Sequence, residues 1–334
     1  MKPPEQRGPD TLIALSEVRD PVHDDLEDVS ARMARVLRNG APLIRDVNGH
    51  LLRMRGKMFR PTLLLLASRV RGRRPPERVR LAGVIELIHL ATLVHDDAID
   101  ESHLRRGLPT VNVTWSHKVS VIMGDYLYSR AMAEIAASGD LALIAMAAEV
   151  TNSMTVGEMM QIAGGAALDA GEEPYFTLIE RKTASLIATA CAMGAHVGSP
   201  EDATELTRFG HDLGMAFQIA DDLLDLCGDE ELMGKRPRSD LRELKATLPI
   251  IHAFRTAGSG DRERLRAAFD SDGLGDGDEE WLVELAVESG GIDYARAAAQ
   301  RYAGSALEAL ADIPSSDESK ALQAAVGYVL QRER

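Results

Sequence analysis

The chain has 334 residues, of which 45% are hydrophobic and only 4% aromatic, enough apolar material for a sizeable core and a balance that favours helices over strands. Its formal net charge of −14 argues against a nucleic-acid partner, and it sets a condition on any anionic substrate: the overall field repels it, so its site must gather its own cations. The two cysteines, Cys191 and Cys227, have no CxxC spacing, which argues against a disulfide framework or a structural zinc site and fits a cytoplasmic protein.

Residues 1–20 are polar and Pro-rich and read as a loose arm, with no apolar signal core. Residues 21–334 read as one helical domain. Helical periodicity predicts elements over 22–38, 60–70, 77–101, 115–137, 140–163, 174–196, 200–227 and 246–256, then a smaller set over 261–271, 279–289, 292–312 and 317–331. Gly139, Gly164 and Gly165 read as stops, and Ser199-Pro200-Glu201-Asp202 as a start signal. Residues 258–280 are the main loop break. No apolar run is long enough for a transmembrane segment. The expected fold is all-α.

The stretch 81–101 is apolar on nearly every face, the mark of a buried helix. It ends in Asp96, Asp97 and Asp100, where acids oppose the helix dipole. An unfavourable placement points to use. Asp96 and Asp100 share a face at i, i+4, and carboxylates so spaced suit Mg²⁺ held together with phosphate oxygens. A second cluster, Asp221, Asp222 and Asp225 after Gln218, repeats the spacing at the end of another apolar helix. Two such ends facing each other would grip a diphosphate through metal ions. A third match, Asp24, Asp25 and Asp28, follows Pro21 at a helix start, where acids are favourable, and no basic motif follows it; it reads as structural.

The cations are grouped around these acids. Arg105 and Arg106 follow the first cluster, Lys57 and Arg60 sit at i, i+3, Lys182 precedes Thr183, and Lys235 and Lys245 follow the second cluster. Diphosphates need charge-assisted hydrogen bonds as well as metal. His89, seven residues before Asp96, projects from nearly the same face.

Six blocks in order, Gly56–Pro61 (GKxxRP), Asp96–Gly107 (DDxxD-x₄-RRG), Gly157–Gln161 (GEMMQ), Lys182–Thr183, Phe217–Asp225 (FQxxDDxxD) and Gly234–Pro249 (GK…KxTLP), closely resemble the trans-type polyprenyl diphosphate synthases, the farnesyl and longer-chain synthase family. The match runs from about residue 22 to the C-terminus. Relatives often carry glycine where this chain has Arg238 and Leu244, a departure that falls in the loop between the motif residues.

The resemblance implies a helical bundle of the isoprenoid synthase type around a central apolar cavity. It implies a magnesium-dependent prenyltransferase that adds isopentenyl diphosphate to an allylic diphosphate, usually with three ions. Asp96, Asp97, Asp100, Asp221, Asp222 and Asp225 would surround the ions. Arg105, Lys182, Lys235 and Lys245 would contact the allylic diphosphate, and Lys57, Arg60, His89 and Arg106 the isopentenyl diphosphate. Gln161, Thr183 and Gln218 would line the cavity. A homodimer is implied, with peripheral membrane contact for long products.

Product length follows from geometry. One α-turn rises 5.4 Å, close to roughly one isoprene unit. Ala91 and Thr92 lie one turn below Asp96, and Leu87 and Ile88 a turn further. Small side chains at the first level leave a tunnel open and predict a long-chain product of about six to ten units; geranylgeranyl and farnesyl diphosphate are the shorter alternatives. Two other functions compete. A class I terpene cyclase would lack the Asp221–Asp225 pattern and any use for Lys57 and Arg60. A non-catalytic subunit of a heteromeric synthase would commonly lose an acidic motif, and both are intact.

Overall fold

In a computed structural model, which describes residues 13–38, 41–54, 56–164, 168–228, 237–271 and 273–331, the apolar stretches become the helices at the centre. The helices are α1 (His23–Val36), α2 (Pro42–Arg53), α3 (Phe59–Arg69), α4 (Arg78–Ile99), α5 (His117–Ala136), α6 (Leu141–Ile162), α7 (Glu173–Ile179), α8 (Ser185–Gly198), α9 (Ala203–Cys227), α10 (Leu248–Thr256), α11 (Ser259–Phe269), α12 (Asp278–Glu288), α13 (Gly291–Ala309) and α14 (Asp317–Leu330). Extended structure among the described residues is a two-residue hairpin, Leu104–Arg105 against Leu108–Pro109. The architecture is all-α, as composition predicts. No described helix is long and apolar enough to cross a membrane.

Two features place the site. First, α3 is buried along almost its whole length and α4 continuously from Leu81 to Ile88, and they form the centre of one continuous core with α8 and α9. Helices buried on all sides cannot shift without moving their neighbours. Second, the central helices touch backbone to backbone. A Cβ at Gly198 would lie 1.9 Å from the Ser68 carbonyl oxygen, and one at Gly214 would lie 2.5 Å from Ala184 Cα. That closeness fixes α8 against α3, and α9 against the turn that precedes α8.

Several elements depart from expectation. The helix read over 174–196 is interrupted: a π-type turn over Glu180–Ala184 joins α7 to α8 and carries Lys182 and Thr183. Such turns widen the helix and re-aim its side chains. Helix α2 was not expected; its Pro42 start and its buried Val47 and Leu51 are plain only with the structure in hand. Residues Leu15–Arg19 form a helical turn with Val18 fully buried, so the arm is not loose from there on. The break expected over 258–280 shrinks to the residues between α11 and α12, because Ser259–Phe269 is helical.

The third acidic match is structural. Buried Asp25 accepts hydrogen bonds from Arg69 Nη1 at 3.1 Å and from Arg78 Nε and Nη2 at 2.9 and 2.7 Å, and Arg69 also meets Glu318 at 2.9 Å. One carboxylate thus ties α1 to α3 and α4, with α14 joined through Arg69.

Candidate active site

Helices α4 and α9 end on the same space. Asp96 and Asp100 from the first acidic cluster and Asp221 from the second line a cavity of about 820 Å³, together with Arg105, Lys182, Lys245, Glu158, Gln161, Thr183 and Gln218. A second cavity of about 760 Å³ shares Asp96, Asp221, Lys182 and Gln218 with the first. One flank of it carries Lys57, Arg60, His89 and Arg106; another runs past Ile88, Ala91 and Thr92 toward Met154 and Leu186. Residues drawn from all six sequence blocks therefore converge on one acidic mouth with a cationic flank and an apolar depth.

The six aspartates divide into two groups. Asp97 lines neither cavity; it is buried and accepts from Arg105 Nε at 2.7 Å. Asp225 also lies outside both walls and accepts from Ser239 Oγ at 2.6 Å and from the Asp240 amide at 2.9 Å. Asp222 reaches the wall, but its oxygens are taken: Tyr175 Oη donates to one at 2.7 Å and Gln218 Nε2 to the other at 2.8 Å. Gln218 in turn accepts from Thr183 Oγ1 at 2.7 Å. Of the six, Asp96, Asp100 and Asp221 line the cavity beside Asp222.

Burial raises the pKa of acids in both groups. Asp96 is partly accessible through the cavity, yet loss of solvation dominates and pushes its pKa up to about 7, with Lys182 opposing and Glu158 and Asp100 adding to the rise. Burial also raises Asp100, against the pull of Lys245. Burial holds Asp222 well above the ordinary carboxylate range, with Asp240 adding to it. Among the described residues no three acid, histidine or cysteine side chains already enclose one point as a finished metal cage. The carboxylates of Asp96, Asp100 and Asp221 on the cavity wall are oxygen donors of the kind Mg²⁺ takes alongside water and phosphate.

The cations are held ready. Lys182 Nζ sits 2.6 Å from Glu158 and donates to Gln161 at 2.8 Å. Burial works against charge on Lys245, but its hydrogen bond to Glu243, with Asp240 nearby, outweighs this and raises its pKa. Lys57 Nζ lies 3.2 Å from Tyr328 Oη, and Arg60 Nη1 lies 3.2 Å from His89 Nε2. Arg106 donates to the Met54 carbonyl at 2.6 Å. Gly56 leaves it room, since a Cβ there would lie 2.6 Å from the guanidinium. His89 is driven well below its ordinary pKa, by burial first and then by Arg60 and Arg106, so it is neutral beside them. Lys235 lies outside the described residues.

Sequence reading missed Glu158, which stands at i, i+3 from Gln161 in its own block and could have been found from that spacing. It also missed Glu86, Tyr175 and Tyr328, which come from distant positions and carry no local signal. Glu86 lines the cationic flank, and burial raises its pKa against Arg60 and Arg106.

This arrangement has close counterparts. The sequence profile of the polyprenyl synthetase family matches residues 41–285. The chain is 36% identical over 334 residues to the short chain isoprenyl diphosphate synthase of Methanothermobacter thermautotrophicus, covering 96% of this chain and 100% of that one. It is 34% identical over 326 residues to the octaprenyl diphosphate synthase of Escherichia coli, covering 96% and 99%. Its structure is similar to that of a polyprenyl synthase from Caulobacter crescentus complexed with calcium and isoprenyl diphosphate, with a TM-score of 0.91, 30% identity, and coverage of 98% and 99%.

Proposed function

The chain belongs to the polyprenyl synthetase family of trans-prenyltransferases, and we propose that it lengthens an allylic diphosphate with isopentenyl diphosphate to a long-chain product of about six to ten isoprene units. The observation that carries this reading is the meeting of Asp96 and Asp221, from separate helix ends, with Lys182 at one mouth that opens on an apolar depth.

Asp96, Asp100 and Asp221 are the residues proposed to hold magnesium ions, three by family expectation. Bound divalent ions supply positive charge to a departing pyrophosphate. Lys182, Lys245 and Arg105 would hold the allylic diphosphate by charge-assisted hydrogen bonds. Lys57, Arg60, Arg106 and neutral His89 would hold the isopentenyl diphosphate on the other flank, with its double bond toward the allylic carbon. Gln218, fixed by Thr183 and Asp222, orients the groups between them. Ionisation of the allylic C–O bond leaves a cation that water would quench, and the apolar walls keep water out. Attack by the double bond forms the new C–C bond, and the released pyrophosphate takes the proton that is lost, so no side-chain nucleophile is required.

Ala91 and Thr92 line the cavity one turn below Asp96 and put no aromatic ring across it, which supports the long product. Geranylgeranyl diphosphate is the rival, favoured by the short-chain relative. A second copy of the chain is the proposed partner for the apolar side chains that α5 and α6 leave exposed, among them Ile122, Leu141, Met159 and Ile162. A cytoplasmic setting is proposed from the sequence, whose two cysteines, Cys191 and Cys227, have no CxxC spacing, and peripheral membrane contact from the oily product.

The test is mass analysis of products from the purified chain alone, given farnesyl and isopentenyl diphosphates with magnesium. Long polyprenyl diphosphates are expected. Products stopping at four units or fewer would refute the long-chain reading, and no transfer by the chain alone would refute the enzyme reading in favour of a non-catalytic subunit.

A further inference from the structure

We propose that Asp225, the last acid of the second motif, is a positioning residue that anchors the Ser239–Arg242 turn and so sets Lys245 in the cavity. Its carboxylate takes Ser239 Oγ on Oδ1 at 2.6 Å and the Asp240 amide on Oδ2 at 2.9 Å. Its backbone carbonyl takes the Arg238 amide at 2.7 Å. The chain of bonds continues, because the Asp240 carbonyl accepts the Lys245 amide at 2.8 Å. Asp240 is thus held at its N–H by Asp225 and holds Lys245 at its C=O. Lys245 lines the cavity with Asp100, while Asp225, buried in the last turns of α9, does not.

The turn needs such an anchor. Arg238 and Leu244, at either end of it, have φ of 66° and 54°, a left-handed backbone that residues with a Cβ adopt reluctantly. The N-cap position of the Ser239–Arg242 turn is Arg238, which makes no side-chain capping bond. Asp225 supplies from another helix the acceptor that the turn lacks. The spacing of the motif reads as a third metal ligand; the bonds assign this acid to the loop.

The inference rests on the prenyl-transfer reading, and its test uses the full chain with allylic diphosphate and magnesium varied separately. D225A is expected to raise KM for the allylic diphosphate about tenfold and leave the magnesium half-saturation within about twofold. D225N, which keeps one acceptor oxygen, should fall between wild type and D225A. In a K245A background D225A should add no more than about twofold, because both act through one group. The double change R238G/L244G, which relieves the backbone, should recover part of the loss. A magnesium half-saturation raised about tenfold, or effects of D225A and K245A that multiply, would overturn the proposal. If D225A does not fold, S239A removes the Ser239 bond and keeps the one to the Asp240 amide, and must raise the same KM by a smaller factor; no rise overturns it. Trypsin reads the anchor without turnover: cleavage after Arg238 or Arg242 should quicken in D225A, and an unchanged rate overturns the proposal. A wild-type chain without transferase activity would sink the proposed function, and the tryptic comparison would still decide this point.

Discussion

The phenol of Tyr175 donates to Asp222 Oδ2 at 2.7 Å, and both residues are buried. With Gln218 on the other oxygen at 2.8 Å, the carboxylate is satisfied by protein before any ion arrives. These bonds link Asp222 to Gln218 and Tyr175, while Asp221, the preceding residue, lines the cavity. Tyr175→Phe leaves one oxygen buried without its donor, a loss of about 1–3 kcal/mol. A melting temperature lower by several degrees is expected, with kcat down about tenfold through a displaced Gln218 and magnesium half-saturation unchanged. Thermal melts beside a magnesium titration check it. A half-saturation that moves would return Asp222 to the metal ligands.

The pKa of Asp96 predicts a pH-dependent cost in the protein free of metal and substrate. Burial lifts it to about 7, above the unfolded value near 3.9. Between those two pH values the folded chain binds the extra proton, so stability falls as pH rises, and the whole penalty is present above pH 7. The penalty is no more than about 4 kcal/mol, less whatever solvent in the cavity screens. Asp96→Asn removes it. The variant should therefore melt above wild type at pH 8, with the gap closing as pH falls toward 4, while losing prenyl transfer. Melts across this range decide the matter: a gap constant with pH would mean that Asp96 is not the group responsible.

Asp25 tests whether an acidic motif without cations beside it in sequence is structural. Burial opposes its charge, but Arg78 and then Arg69 win and hold its pKa below the usual value. Asp25→Ala leaves Arg69 and Arg78 without that acceptor, and removing one partner of a buried pair costs about 3–5 kcal/mol. The sign of the pKa shift adds a second readout. The contribution is present above pH 4 and lost as pH falls through the lower folded value, so wild type and variant should converge in acid. Magnesium dependence at a permissive temperature should not change, and a change would give this motif a role in catalysis.

How far the sequence could be read is clearest at the second motif and the loop after it. The α9 period and the DDxxD spacing carry Asp221 to the end of a buried helix, and the structure places it on the cavity wall. They could not separate Asp221 from Asp222 and Asp225. The partners that separate them, Tyr175, Ser239 and Asp240, lie on other elements, and tertiary hydrogen bonds leave no mark on local periodicity. The loop shows the converse. Arg238 and Leu244 stand where relatives often have glycine, and both adopt the left-handed backbone that glycine favours. The turn keeps its shape at the cost of strain, which bonds elsewhere must offset. Helix α2 and the π turn at Lys182 were illegible for a similar reason: short elements take their form from the neighbours they pack on.

The apolar depth makes a graded prediction. Ala91 is buried to 4% exposure and lines the cavity, as do Thr92 and, a turn further down, Ile88. Because a cavity opens beside Ala91, a ring placed there has space to enter. Ala91→Phe should stop elongation at about three or four units, whereas Ile88→Phe, about one α-turn or 5.4 Å deeper, should stop it roughly one unit later. Neither lies among the cationic side chains, so the rate of the first addition should hold within about twofold. Mass analysis of the two product ladders, read side by side, tests both position and direction. Equal ladders, or the reverse order, would mean that the chain grows along another wall, past Phe59, Phe217 and Tyr328, and the same substitution series moved to that wall would then shorten the product.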